Sequence, residues 1–264
     1  MRSQCEDIET AWYEVGSGRP LILVHGLGDD HRAWRRCVGD LMLSHRVILY
    51  DLRGHGGTSL GSPAGTLAQL AADLASLIDA LKLERAVVAG FSLGGTIAMR
   101  LAIDRPDKVA GLVLVATSSR VGKAAAGWYA ERLAMVAEGD PELKATIDRD
   151  TEDVYRHSPE DAAAGLKIRR EATSDPRGYG NACCALAALG TQPLDPELTR
   201  IKSPTLIVTS DLDQLCPPRA AEIVAAGIQG SRLHLIKGAG HPIPVERPTE
   251  LAQLILDFTA TPQW

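Results

Sequence analysis

Short, largely apolar runs recur along the chain, at Leu21–Val24, Val47–Tyr50, Ala86–Ala89, Val109–Val115 and Thr205–Val208, with a weaker copy at Leu233–Ile236. Runs of this length without polar alternation predict strands buried on both faces. Ile8 to Val15 predicts an opening strand, ended by the turn-forming stretch 16–20. Between the runs the spacing changes. Leu67, Leu70, Leu74, Leu77, Ile78 and Leu81 fall on one helical face, with Thr66 placed to cap it. Thr96–Ile103, Arg219–Ala226 and Thr249–Phe258 also predict helices, the last introduced by Pro248. Strand–helix alternation of this kind implies an α/β fold, a mostly parallel twisted sheet of about eight strands with helices on both faces.

The alternation stops between residues 117 and 199. Helical pieces are expected there at Trp128–Val136, Pro159–Arg170 and Gly178–Leu189, punctuated by Gly139, Pro141, Pro176 and Pro193, with no strand. The expected organisation is a core domain of residues 1–116 and 200–264, interrupted by a helical lid at 117–199. An insertion at the carboxyl ends of the strands lies over the ligand crevice of an open α/β sheet. The plainer alternative is a set of extra packing helices.

With 264 residues, a large core is available without staples. The net charge of −5 carries no basic nucleic-acid footprint. No stretch approaches the roughly 20 apolar residues of a membrane span, and the first residues lack the apolar centre of a secretory signal. The five cysteines include one adjacent pair and no Cys-x-x-Cys, so free thiols in a reducing cytoplasm are expected, without metal-ligand spacing. The expected partner is a small-molecule substrate, neither nucleic acid nor membrane; self-association into a homo-oligomer is the protein partner considered.

Candidate chemistry centres on Gly90-Phe91-Ser92-Leu93-Gly94, directly after an apolar run and directly before a helix. A sharp strand-to-helix turn exposes a serine hydroxyl above the sheet, the glycines permit close backbone approach, and the new helix aims its positive end at the serine. A glycine-rich turn with an idle serine is the plainer alternative. A serine hydroxyl needs a base. Of His157, His234 and His241, only His241 falls on a loop just after a strand and outside the insertion. The supporting acid is expected after the preceding strand, where Asp211 and Asp213 are candidates and Asp213, deeper in the loop, is preferred. Two backbone N–H donors would complete such a site, expected from Leu93 and from Leu27 in the early loop His25-Gly26-Leu27-Gly28, with His25 bracing that loop.

Taken together, these residues resemble the α/β-hydrolase superfamily over nearly the whole chain. The turn from Asp51 through Arg53, Gly54, His55 and Gly56 to Ser59 is similar to one common in those proteins, where its role is mainly structural. Residues 201–208 resemble the lead-in to the acid-bearing strand, with Ser210 where many members have glycine. Within the superfamily the insertion resembles that of 3-oxoadipate enol-lactone hydrolases, through Trp128–Arg132 with Gly139 and through residues 175–186. It departs from them in carrying Asp148–Val154 where an Arg-Trp-Phe stretch is frequent. Trp128 and Arg132 are candidates for substrate contacts; the alternatives are packing for Trp128 and a solvated helix face for Arg132.

The resemblance implies a serine hydrolase that cleaves a carboxylic ester or lactone through an acyl-enzyme, with Ser92, His241 and Asp213 catalytic and no metal or organic cofactor. Three other readings share this frame: a carbon–carbon bond hydrolase of ring-cleavage products, a cofactor-free perhydrolase, and a ligand sensor without turnover. Epoxide hydrolases and dehalogenases need a carboxylate nucleophile, which Ser92 is not.

Overall fold

In a computed structural model of the protein, residues 1–260 are described. The core expectation ran to 264, so its last four positions lie outside the described residues. The strands, in chain order, are β1 (Arg2–Cys5), β2 (Ile8–Val15), β3 (Arg19–Val24), β4 (His45–Tyr50), β5 (Ala86–Phe91), β6 (Val109–Val115), β7 (Thr205–Ser210) and β8 (Arg232–Ile236). Among the described residues they form one eight-stranded sheet in the order β1-β2-β4-β3-β5-β6-β7-β8. The pairs β1–β2 and β2–β4 are antiparallel and the others parallel.

The helices are α1 (Val38–Leu41), α2 (Leu67–Ala80), α3 (Leu93–Asp104), α4 (Lys123–Glu138), α5 (Leu143–Val154), α6 (Pro159–Ala172), α7 (Pro176–Ala187), α8 (Pro218–Gly227), α9 (Ile243–Glu246) and α10 (Pro248–Ala260). Thr66 caps α2 by accepting the Gln69 N–H at 3.2 Å. The apolar runs divide residue by residue between two cores. Ile22, Val24, Ile48, Val88, Leu112 and Leu114 face α2 and α3. Leu21, Leu23, Val47, Leu49, Val113 and Val115 face α1 and α10. Both faces of each central strand are therefore covered, which is why the runs carry no polar alternation. Each such aliphatic side chain contributes about 1.5–3 kcal/mol by its burial.

Four elements lie outside the sequence expectations: β1, α5, and the helices α1 and α9, whose four residues each are too few to show a helical period. β1 precedes the strand read as the opening one; it is short, lies at the sheet edge and is mostly exposed, so it carries no apolar signature. α5 falls between the first two helical pieces expected in the insertion. Leu143, Ile147, Thr151 and Val154 form its buried stripe, but acidic residues dominate the rest of it. The helices α4 to α7 all fall between β6 and β7, with α4 packed on α7 and α5 on α6. A cluster of Leu143, Ile147, Tyr179 and Cys183 with Trp128 and Tyr129 packs down onto Leu27 of the core.

Candidate active site

The turn after β5 is steep. Ser92 has φ +53° and ψ −119°, a positive-φ conformation costing a serine about 1–3 kcal/mol. It is held there from several sides. The Ser92 N–H donates to the Val115 carbonyl at 2.9 Å, and the Ser92 carbonyl accepts from the Thr117 hydroxyl at 2.7 Å and the Gly95 N–H at 2.9 Å. The flanking glycines are sterically required. A Cβ on Gly90 would lie 2.2 Å from the Gly94 carbonyl oxygen, and one on Gly94 would lie 2.3 Å from that of Val24.

His241 follows β8 on a short loop that returns toward β5. Its Nδ1 lies 2.8 Å from Asp213 Oδ2 and its Nε2 lies 3.1 Å from Ser92 Oγ. A carboxylate only accepts, so Nδ1 carries the proton and Nε2 is free to take one from Ser92. Asp213 Oδ1 accepts the backbone N–H groups of Leu215 and Cys216 at 2.8 and 2.9 Å. Burial pushes the Asp213 carboxyl up; the charge and hydrogen bond of His241, with the two backbone donors, outweigh it and hold the group below the usual carboxylate range. Asp211, the other sequence candidate, instead accepts the Gly238 N–H at 2.7 Å and shapes the same loop from outside. His157 stands beside Gly240, and His234 lies 3.8 Å from Glu250 on β8.

The early loop passes directly over the serine. A Cβ on Gly26 would sit 3.3 Å from Ser92 Cβ and 3.2 Å from the Phe91 ring. Leu27 follows, and the Asp29 N–H closes the turn on the Gly26 carbonyl at 3.3 Å. Among the described residues, neither the Leu27 N–H nor the Leu93 N–H donates to a protein acceptor. His25 braces the loop with both ring nitrogens, Nδ1 donating to the Gly26 carbonyl at 2.8 Å and Nε2 accepting the Leu52 N–H at 2.9 Å.

Arg132 does not lie on a solvated helix face. It is 6% exposed, forks onto both oxygens of Asp150 at 2.9 and 2.7 Å, and lies 4.6 Å from the Trp128 ring centre. Its guanidinium thereby ties α4 to α5. Two supports of the His241 loop went unread in the sequence. Ser210 Oγ donates to the Gly240 carbonyl at 2.7 Å, and Glu246 accepts the Gly240 N–H at 2.6 Å and the Ser158 hydroxyl at 2.9 Å. Nothing in local spacing marks Glu246, because it acts across a turn. Asp30, His31 and Asp51 also converge, but their oxygens already receive Arg32, the His31 ring and the backbone N–H groups of His31, Arg32 and Gly57.

Sheet order, strained turn and hydrogen-bonded side chains together define the class. The chain belongs to the α/β-hydrolase fold family, whose model matches residues 19–248. Among particular relatives, it is 30% identical over 255 residues to the putative carbamate hydrolase RutD of Variovorax paradoxus, covering 94% of this chain and 95% of that one. It is also 30% identical to 3-oxoadipate enol-lactonase 1 of Acinetobacter baylyi, over 92% of this chain and 89% of the relative. The solved enol-lactonase of Burkholderia xenovorans superposes with a TM-score of 0.88 at 25% identity, covering 99% of this chain and all of the other.

Proposed function

We propose that the protein is a serine hydrolase that cleaves a carboxylic ester or lactone through an acyl-enzyme. The observation that carries this reading is the unbroken series Ser92 Oγ, His241 and Asp213, at 3.1 and 2.8 Å. Ser92 Oγ attacks the carbonyl carbon while its proton passes to His241 Nε2. Asp213 stays ionised, fixes the imidazole tautomer and stabilises the imidazolium. The oxyanion forms against the Leu27 and Leu93 N–H groups, each such donor contributing about 3 kcal/mol to the barrier reduction. As the carbonyl re-forms, the bond to the leaving oxygen breaks and that oxygen takes the proton from His241. Water, deprotonated by the same imidazole, then attacks the acyl-Ser92 ester, and the returning proton restores the Ser92 hydroxyl as the acid departs. In this reading residues 117–199 form the lid of a core comprising 1–116 and 200–264, and Leu27 is one of the places where the two meet.

The names of the relatives direct the choice of substrates. The test follows ring opening of 3-oxoadipate enol-lactone in the ultraviolet, beside a 4-nitrophenyl ester and a simple carbamate, for wild type and Ser92→Ala. Turnover of ester or lactone by wild type, with near-background rates for the variant, is the expected result. Turnover that survives Ser92→Ala overturns the mechanism, and turnover of the carbamate alone moves the substrate class to the C–N bond.

A further inference from the structure

Arginine side chains in this protein usually meet a carboxylate with the whole fork. Nε and a terminal nitrogen engage both oxygens in Arg53–Asp73, Arg32–Asp30, Arg132–Asp150, Arg170–Asp148 and Arg177–Asp175. Arg169, on α6, departs from this. Its side chain is 12% exposed, yet it touches Asp29 only through Nε, at 3.2 Å. Its terminal amino groups donate to no acceptor among the described residues, and neither is sealed from solvent. An arginine held inside a protein with the outer edge of its fork unused presents the geometry that binds a carboxylate in two-point fashion.

Placement ties this edge to the candidate active site. Asp29 closes the turn that begins at Gly26, the glycine lying over Ser92, and carries Leu27 at its crest. The Tyr179 ring and Thr173 face Gly28 in the same turn. Tyr155 and Tyr179, both buried, lie near Arg169. The turn that offers an N–H toward a scissile carbonyl therefore also anchors a cation with free donors. Asp29 fixes Nε and leaves the opposite edge of the guanidinium for a ligand.

We propose that Arg169 is a specificity-determining residue, and that the substrate carries a free carboxylate besides the bond that is cleaved. This rests on the hydrolase reading of Ser92. The test compares 4-nitrophenyl hydrogen adipate with 4-nitrophenyl hexanoate, matched in length and differing in the terminal carboxylate. Wild type favours the acid in kcat/KM. Arg169→Met lowers the acid-to-neutral ratio about 10- to 100-fold, mainly through KM, as removal of a hydrogen-bonded charge partner does. Arg169→Lys retains charge without the fork and gives an intermediate ratio; it decides the question if the methionine variant fails to fold. A wild-type ratio at or below one, or an unchanged ratio in the folded variants, overturns the proposal. Ser92→Ala is run on both esters. Loss of turnover there with no preference for the acid sinks only the role of Arg169, whereas undiminished turnover sinks the hydrolase reading beneath it.

Discussion

Ser210 donates its hydroxyl to the carbonyl of Gly240, the residue immediately before His241. The bond joins the end of β7 to the loop after β8, so the strand leading to Asp213 also fixes the residue that leads to His241. Ser210 is fully buried, and removing its hydroxyl leaves the carbonyl oxygen without that partner. Ser210→Ala is expected to cost about 1–3 kcal/mol of stability. It is also expected to lower kcat more than it raises KM, because the imidazole loses orientation while the pocket does not change. Urea unfolding and steady-state kinetics on the same preparation check both; an unchanged kcat with reduced stability would limit the bond to a packing role.

Asp213→Asn preserves size but removes the charge that faces His241. The amide can donate to Nδ1, which moves the imidazole proton to Nε2 and blocks acceptance from Ser92. A loss of about 10⁴-fold in kcat is expected, with little change in the circular dichroism spectrum. Asp211→Asn, on the outer side of the same loop, is expected to retain most activity. Equal losses in the two variants would show that the loop, rather than the Asp213 charge, sets the rate.

The strand–turn–helix at residues 86–103 is legible in the sequence because all its determinants are local: an apolar run, a serine between two glycines, then a helical face. The loops bearing Asp213 and His241 are legible for a related reason, since each directly follows a strand. Between Asp211 and Asp213 the spacing favours the deeper residue, and Asp213 is the one that meets His241. What stays hidden is non-local. Glu246 and Arg169 look like surface charges until the chain brings Gly240 and Asp29 to them. Arg132 has the same appearance, and only α5, itself obscured by its acidic residues, supplies the Asp150 that buries it.

Helix α6 is fastened to the segment 29–36 by three ion pairs, Arg36–Asp161, Arg32–Glu171 and Arg169–Asp29. Arg36 engages both oxygens of Asp161, which is largely buried, and also donates to the Val245 carbonyl at 2.9 Å. A double-mutant cycle of Arg36→Met and Asp161→Asn is expected to give a coupling of about 1 kcal/mol, the upper end for pairs with one exposed partner. The Arg32–Glu171 pair is more exposed and is expected to contribute less, and to weaken in high salt. Urea titrations of the four proteins of the cycle, in 0.05 and 1 M sodium chloride, measure both effects. A coupling near zero would mean that packing against α5 holds α6 in place.

His55 lies in the turn after β4, fully buried, donating from Nδ1 to the Arg53 carbonyl at 3.1 Å while Nε2 has no partner among the described residues. Burial, helped by the nearby His25 and opposed by the Arg53 carbonyl, pushes its pKa down to about 4. In the unfolded chain the same ring titrates near 6.5. Between these values the unfolded state binds a proton that the folded state refuses, so stability falls as pH drops from about 6.5 toward 4. The full difference corresponds to about 3 kcal/mol. Depressed carboxylates such as Asp213 lose their stabilising contribution only at lower pH, as they are protonated below their usual range, which separates the two effects. Urea unfolding of wild type and His55→Gln at pH 7.5, 6.5, 5.5 and 4.5 is expected to show the wild type losing stability more steeply across this window. Parallel curves would mean that His55 is protonated in the folded protein, with Nε2 finding an acceptor, and that acid sensitivity arises elsewhere.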